Sequence, residues 1–245
     1  MTKLLKFEWR KLWRQKSLYI CFGIGLLIIA LSLLSMKNIF NAVDDAMTNL
    51  FVSLNAGFTS FLGIFIALFV CQDFAQQTIK NIYARGYRRT TVYFAKYLIS
   101  LAATLLMAFL YMAFGFVWTL MLGGKVGSLL AWQWGTLALQ LWTIIGFHGL
   151  FFGIGMMLSK TAGTVALNLV GVSFCFEILN LIFVLLKIDF NIKQFSIETL
   201  FTNLLDTLIV NEITSQLVLR GILLPLFYVV FFVGTGWYIN QRRDV

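Results

Sequence analysis

The chain has 245 residues, of which 60% are hydrophobic and 12% charged, with a single proline, against roughly 25% charged residues in an ordinary soluble domain. That balance excludes a soluble globular domain and reads as an integral membrane protein, whose natural unit is a spanning helix of about 20 apolar residues. The net charge of +9 is then a signal of topology and of affinity for anionic lipid heads, not of nucleic-acid binding.

In chain order, Leu5, Trp9, Leu12 and Trp13 fall at helical spacing, with Lys3, Lys6, Arg10 and Arg14 turned mostly to another face. This predicts an interfacial helix over residues 1–17, its aromatics at headgroup level and its cations in water or on anionic lipid. Trp9, Arg10 and Trp13 are the candidates for bracing a soluble partner. The apolar run that follows is too long for a signal peptide and lacks a small-residue cleavage site, so it is expected to remain as the first span, near Leu18 to Met36. A short turn with Asp44 and Asp45 leads to a second span, Leu50 to Cys71.

The next segment is basic. Asp73 followed by Gln76 resembles a capping box, Ala75, Ile79 and Ile82 form a narrow apolar stripe, and Gly86 is a helix stop. The spacing predicts a short helix lying across the ends of two spans, with Thr90 or Thr91 capping the third span, Tyr93 to Leu122. The turn at Gly123–Ser128 is flanked by Trp118, Trp132 and Trp134 as an aromatic belt. Its Gly124-Lys125 is not a phosphate loop, which would need glycine where Thr119 stands.

The fourth span, Trp132 to Leu158, holds the only histidine, His148, so a site of several histidines is excluded. Gly149 and Gly153, with Gly146 and Gly155 beside them, form a small-residue face for close helix approach, which makes His148 an interhelical packing donor. Only Ser159-Lys160-Thr161 separates this span from the fifth, Ala162 to Leu186, and the pair also reads as one interrupted segment; six spans is the preferred count. Glu177 is the one acid well inside a predicted span, one turn from Asn180. Both are candidates for a translocation path, and the competing reading is a protonated Glu177 bonded to Asn180 or a contact across a dimer. Cys21, Cys71 and Cys175 show no metal or disulfide spacing and read as packing residues.

Residues 187–220 form an outer segment in which Ile197, Leu200, Phe201, Leu204, Leu205 and Leu208 recur at helical spacing, capped by Ser196. Asn203, Asp206 and Thr207 take the polar side, and Asp206 is a third path candidate. This helix either lies on the outer leaflet or dips back as a re-entrant hairpin. The last span, Gly221 to Ile239, contains Pro225, where a kink or break is expected. On this layout fourteen of the 19 basic residues fall on one side, in residues 3–16, 80–96, at Lys160 and at Arg242 and Arg243. The other side keeps Lys37, Lys125, Lys187, Lys193 and Arg220 together with Asp189, Glu198 and Glu212. The positive-inside rule therefore places both termini in the cytoplasm.

The loop resembles the signature of type-2 ABC transporter permeases at Asp73, Thr78, Ile79, Lys80, Arg85, Gly86, Arg89 and Lys96, departing from it at Gln77 and Arg88. The resemblance implies an all-α, six-span permease forming one transmembrane domain, 1–245. It further implies that the short helix couples to an ATPase through Asp73, Gln77, Thr78, Lys80, Asn81, Arg85, Arg88 and Arg89. A second permease copy and two separate ATPase subunits would complete the transporter, with ATP and magnesium on the ATPases and no cofactor on this chain. Small size, the lack of a large outer domain and abundant Phe are similar to compact bacterial permeases that export amphipathic peptides; lipid, drug or ion export is the alternative. An intramembrane enzyme would need paired His, Glu or Asp, and an ion-coupled carrier several midplane polar groups. The sequence supplies few of either.

Overall fold

The computed structural model describes residues 2–40, 45–55, 57–76, 78–186, 192–210 and 213–242, and these residues are almost entirely helical. The amphipathic helix α1 (Thr2–Arg14) is followed at Gln15 by α2 (Lys16–Phe40). A short α3 (Asn49–Asn55) precedes α4 (Phe58–Ala75), and α5 (Thr78–Ala84) leads into the long α6 (Arg89–Met121). Then come α7 (Ala131–Leu158), α8 (Thr161–Ala166), a π turn at Leu167–Gly171 and α9 (Val172–Leu185). A 3-10 turn at Ile192–Phe195, α10 (Ile197–Val210) and α11 (Ser215–Tyr228) lead through a second π turn, Val229–Val233, into α12 (Gly234–Arg242).

Among the described residues five helical stretches are long and apolar enough to cross a bilayer, and a sixth is the bent pair Thr161–Gly171 and Phe174–Leu185, angled by 45°. Six crossings therefore agree with the sequence if the bent pair is one span. The second expected span is shorter at its start than its hydropathy suggests. Gly57 takes φ 80, a left-handed conformation open to glycine, and so splits α3 from α4. Asn49 of α3 then bonds the Thr119 hydroxyl at 3.1 Å, tying the short helix to α6.

The core is organised around α7, which packs on α4, α10, α11 and α12. Its glycines explain why. A Cβ on Gly149 would lie 2.9 Å from the Val229 backbone, and one on Gly153 only 2.4 Å from the Phe232 carbonyl, so the last span approaches to a distance that no larger residue allows. Pro225 is buried in α11 against Gly146. Of the kink or break expected there, a break does not occur: the helix continues through Pro225 and widens into the π turn Val229–Val233 one turn later, a feature at which helices bend. His148 is fully buried, with Ser100 at 3.2 Å and Thr104 at 3.0 Å from its two ring nitrogens, in agreement with a packing role. Cys21 and Cys71 are buried, whereas Cys175 is exposed on α9.

The bend at α8–α9 has a local cause. Asn168, in the π turn, donates to the Gly63 carbonyl at 3.0 Å, and a Cβ on Gly63 would already sit 3.1 Å from Asn168. The π turn is thereby held against α4 while α9 leaves the bundle. At the end opposite α1, α10 sets Ile197, Leu200, Phe201 and Leu204 into the core, Phe201 meeting Phe147 edge-on at 5.7 Å. Its polar residues Asn203 and Asp206 face outward, whereas Thr207, expected beside them, is buried and donates to the Leu204 carbonyl at 2.8 Å. The expected amphipathic helix is thus present, seated on α7, α11 and α3. The side chain of Leu208, and the expected outer charges Asp44, Lys187, Asp189 and Glu212, lie outside the described set, as do Gln77 and Arg243 on the other side.

Candidate functional site

The N-terminal end of the bundle brings together α1, the last turn of α4, α5 and the start of α6. α1 does not present the face that Leu5, Trp9, Leu12 and Trp13 predicted. Its buried row is Leu4, Glu8 and Leu12, spaced by four residues and therefore on one side of the helix. Trp9 is half-buried, stacked edge-on to Trp13 at 5.9 Å, while Trp13 and Arg10 are exposed. The chain thus turns an acid, Glu8, into the protein.

Glu8 belongs to a buried group of four charges. Asp73 is completely buried; Lys11 bonds one of its carboxylate oxygens and Lys96 the other. The Thr78 hydroxyl donates to the same carboxylate at 2.8 Å. Glu8 lies 4.0 Å from Lys96, both residues sealed from solvent. Two carboxylates and two ammoniums leave no net charge, and this balance is what makes their desolvation tolerable. The Phe69 ring lies 5.8 Å from the Lys11 ammonium and 5.1 Å from that of Lys96, adding a cation–π contact to each. Burial pulls the Lys11 ammonium below its ordinary range, and the charge of Glu8 opposes that shift.

Asp73 is therefore not the cap of the short helix. It lies in the last turn of α4, and its side chain ties together α1 through Lys11, α5 through Thr78 and α6 through Lys96. A second tie runs from Gln15 to Gln72 at 2.7 Å. The expected cap of α6 at Thr90 or Thr91 is also absent: α6 starts at Arg89, after an extended Arg88, without a side-chain cap. The stop at Gly86 is present, with φ 83 and its amide bonded to the Tyr83 carbonyl at 2.9 Å.

α5 is seated by Ile79 and Ile82, both buried. Ile82 packs with Leu4 of α1 and with Val92 and Ala95 of α6, and Tyr83 and Tyr87 border that cluster. Ala75, expected in the same stripe, belongs instead to α4 and is exposed. Outward from this seat Lys80 and Asn81 of α5 and Arg85 and Arg88 of the turn that follows it are exposed, forming a cationic, polar face. Arg89 is drawn inward: it bonds the Gln241 carbonyl at 3.0 Å and lies over the Tyr83 ring at 5.6 Å. It thus fastens the helix to the end of α12. Of the eight loop candidates, Asp73 and Thr78 are structural ties, Arg89 is a clasp, Lys80, Asn81, Arg85 and Arg88 are free to meet a partner, and Gln77 lies outside the described residues.

The structure does not gather the three path candidates into one site. Glu177 is exposed on α9 and pairs with Lys193 at 2.7 Å rather than with Asn180. Asp206 lines a polar cleft of about 380 Å³ with Asn203, Thr207, Thr214 and Arg220. Arg220 also borders an apolar cleft of about 490 Å³ between Phe176, Phe195, Leu223 and Phe227. A further apolar cleft of about 360 Å³, lined by Leu150, Phe176, Phe227 and Phe231, continues along α9 and the last span.

Sequence reasoning missed Glu8 and Lys11 as members of the charged group. A signal was present, since Glu8 is the single acid in an otherwise basic N-terminal helix and falls four residues from both Leu4 and Leu12. Among known proteins, the model of a family described as ABC-2 family transporter protein matches residues 4–172, which include most of α1, the charged group and all of α5. No curated protein and no solved structure matches the chain.

Proposed function

This chain belongs to the ABC-2 family of transporter proteins, a multi-pass membrane permease, and from that premise we propose that it is the membrane subunit of an ATP-driven exporter of amphipathic peptides. Two separate ATPase subunits bind and hydrolyse ATP with magnesium, and a second permease copy completes the pathway. The host membrane is a bacterial cytoplasmic membrane with both chain termini in the cytoplasm, the orientation supported by the basic segments meeting at one end of the bundle.

The observation that carries the coupling role is the exposed face made by Lys80 and Asn81 of α5 with Arg85 and Arg88 of the turn after it, backed by buried Ile79 and Ile82. A docking helix transmits motion only if it is rigidly joined to the spans that must move. Here Asp73 joins α5 to α1, α4 and α6 at one carboxylate. An ATPase that grips α5 differently in its two nucleotide states would therefore move three elements at once. The amphipathic cargo is supported by Arg220, which borders both a polar and an apolar cleft. Of the three path candidates, Asp206 lines the polar cleft, while Glu177 and Asn180 stand on α9 outside the clefts that Arg220 borders.

Reversing charge at Lys80→Glu with Arg85→Glu tests the reading. The double variant is expected to insert normally and to lose at least roughly tenfold in ATPase association or in transport per ATP, because like charges set against a complementary surface cost several kcal/mol. Co-purification with the ATPase and ATP hydrolysis in proteoliposomes measure both. Unchanged assembly and coupling would overturn the docking role. Stimulation of hydrolysis by amphipathic peptides supports the proposed cargo, and stimulation only by lipids, drugs or ions would replace it.

A further inference from the structure

The clasp at Arg89 has a second member. One helical turn further along α6, Tyr93 is fully buried and its hydroxyl donates to the Val233 carbonyl at 2.7 Å. Arg89 and Tyr93 are four residues apart and share one face of α6. Both reach backbone carbonyls of the same span, Gln241 and Val233.

Each bond has a local cause. Arg89 is the first residue of α6, where its charge opposes the dipole of its own helix. Turned to Gln241, the guanidinium instead meets the negative end of α12, whose last carbonyls have no intrahelical amide. Tyr93 is set edge-on to the Phe152 ring at 5.3 Å. A Cβ on Gly236 would stand 3.0 Å from the Tyr93 hydroxyl and 3.3 Å from the Gly153 backbone, so the absence of a side chain at 236 lets α12 lie against both.

The two bonds fall at one end of the last span. Val233 closes the π turn Val229–Val233, and a Cβ on Gly234, the next residue, would meet nothing within 4 Å. A π turn is a point at which a helix bends. Phe231, inside the turn, and Phe227, just before it, form a wall of the apolar cleft that Leu150 and Cys175 also line.

We propose that Arg89 and Tyr93 are positioning residues that carry a displacement of the docking helix into the last span, and that the π turn bends to pass it to the cleft wall at Phe227 and Phe231. α12 is then a fourth element driven from α5, beside the three that Asp73 joins. This role rests on the docking reading above for the source of the motion, whereas the tie itself belongs to the chain alone.

Hydrogen–deuterium exchange of the full-length permease in detergent micelles, without ATPase, tests the tie. Tyr93→Phe removes one hydroxyl and keeps the ring. It is expected to raise exchange over Val229–Arg242 roughly fivefold, the scale of one hydrogen bond, and to leave α11 unchanged. Arg89→Ala is expected to raise it only toward the end of α12. No rise in either variant would overturn the tie, and an equal rise through α11 would overturn the bending point.

The cleft is read by N-ethylmaleimide labelling of Cys175, the exposed one of the chain's three cysteines, with the ATPase bound. The labelling rate is expected to differ between the nucleotide-free and vanadate-trapped states. Tyr93→Phe with Arg89→Ala is expected to lose that difference, and Arg89→Lys, which keeps a cation at the helix end, to retain most of it. A full difference in the double variant would make the two bonds packing alone and overturn the proposal, as would no difference in the unaltered chain. Loss of ATPase association in Lys80→Glu with Arg85→Glu leaves the exchange result as it is, and an unaltered association there removes only the source of the motion, so the two failures are told apart.

Discussion

Two acidic residues invite opposite readings from their sequence positions, and the structure exchanges them. Glu177 lies within an apolar run and looks like the functional buried charge; Asp73 lies at the edge of a polar loop and looks like a local cap. In the folded chain Glu177 is 61% exposed and pairs with a half-exposed Lys193, whereas Asp73 is fully buried and has three side-chain partners from three other helices. The value of a charged group follows from how much solvent it has lost and how many partners replace that solvent, not from the hydropathy of its neighbours in sequence.

Removing Asp73 breaks this contrast most severely. Asp73→Ala leaves the buried Lys96 with only Glu8, at 4.0 Å, and loss of one partner of a buried pair costs about 3–5 kcal/mol. A large fall in the midpoint of thermal unfolding of the purified permease is expected, together with proteolytic release of α1. The double variant Asp73→Leu with Lys96→Met sharpens the point. It removes one charge of each sign, leaves Glu8 to pair with Lys11, and is expected to recover at least half of the lost stability, because well-packed apolar replacement of a buried pair is often neutral. If the double variant is as unstable as the single one, the group matters through shape and not through charge balance.

An intermediate effect is expected at Gly153, which represents the uncharged half of the core. Gly153→Val sets side-chain atoms against the Phe232 carbonyl, backbone that cannot rotate away, and overpacking of this kind costs about 1–3 kcal/mol. The unfolding midpoint should fall while α1 stays protected from protease. The smallest effect belongs to the other acid: Glu177→Gln is expected to change stability by no more than about 1 kcal/mol, as for an exposed pair. A loss as large as that of Asp73→Ala would show that Glu177 is sealed by a partner in the assembled transporter.

How far the sequence could be read depended on the range of the forces involved. The spans follow from hydropathy, so Arg89–Met121, Ala131–Leu158 and the last span agree with expectation to within a few residues apart from an earlier start to the last, at Ser215. The stop at Gly86 and the close packing at Gly149 and Gly153 were also legible, because each depends on the absence of a side chain. The start of α4 was not, since it turns on the single left-handed residue Gly57 in an unbroken apolar run. Nor was the inward turn of α1: Trp9 and Trp13 dominate any apolar stripe, while Glu8 gains its place only because Lys96, far along the chain, is there to meet it.

The sequence by itself determined that this is a helical membrane protein, where its spans run, and that a basic helix interrupts them, because insertion energy is a sum over neighbouring residues. Only the tertiary structure decided which charges are buried together. Glu8, Lys11, Asp73 and Lys96 come from three helices, and an ion pair is favourable only at a few ångströms, a distance that chain folding sets and local composition does not.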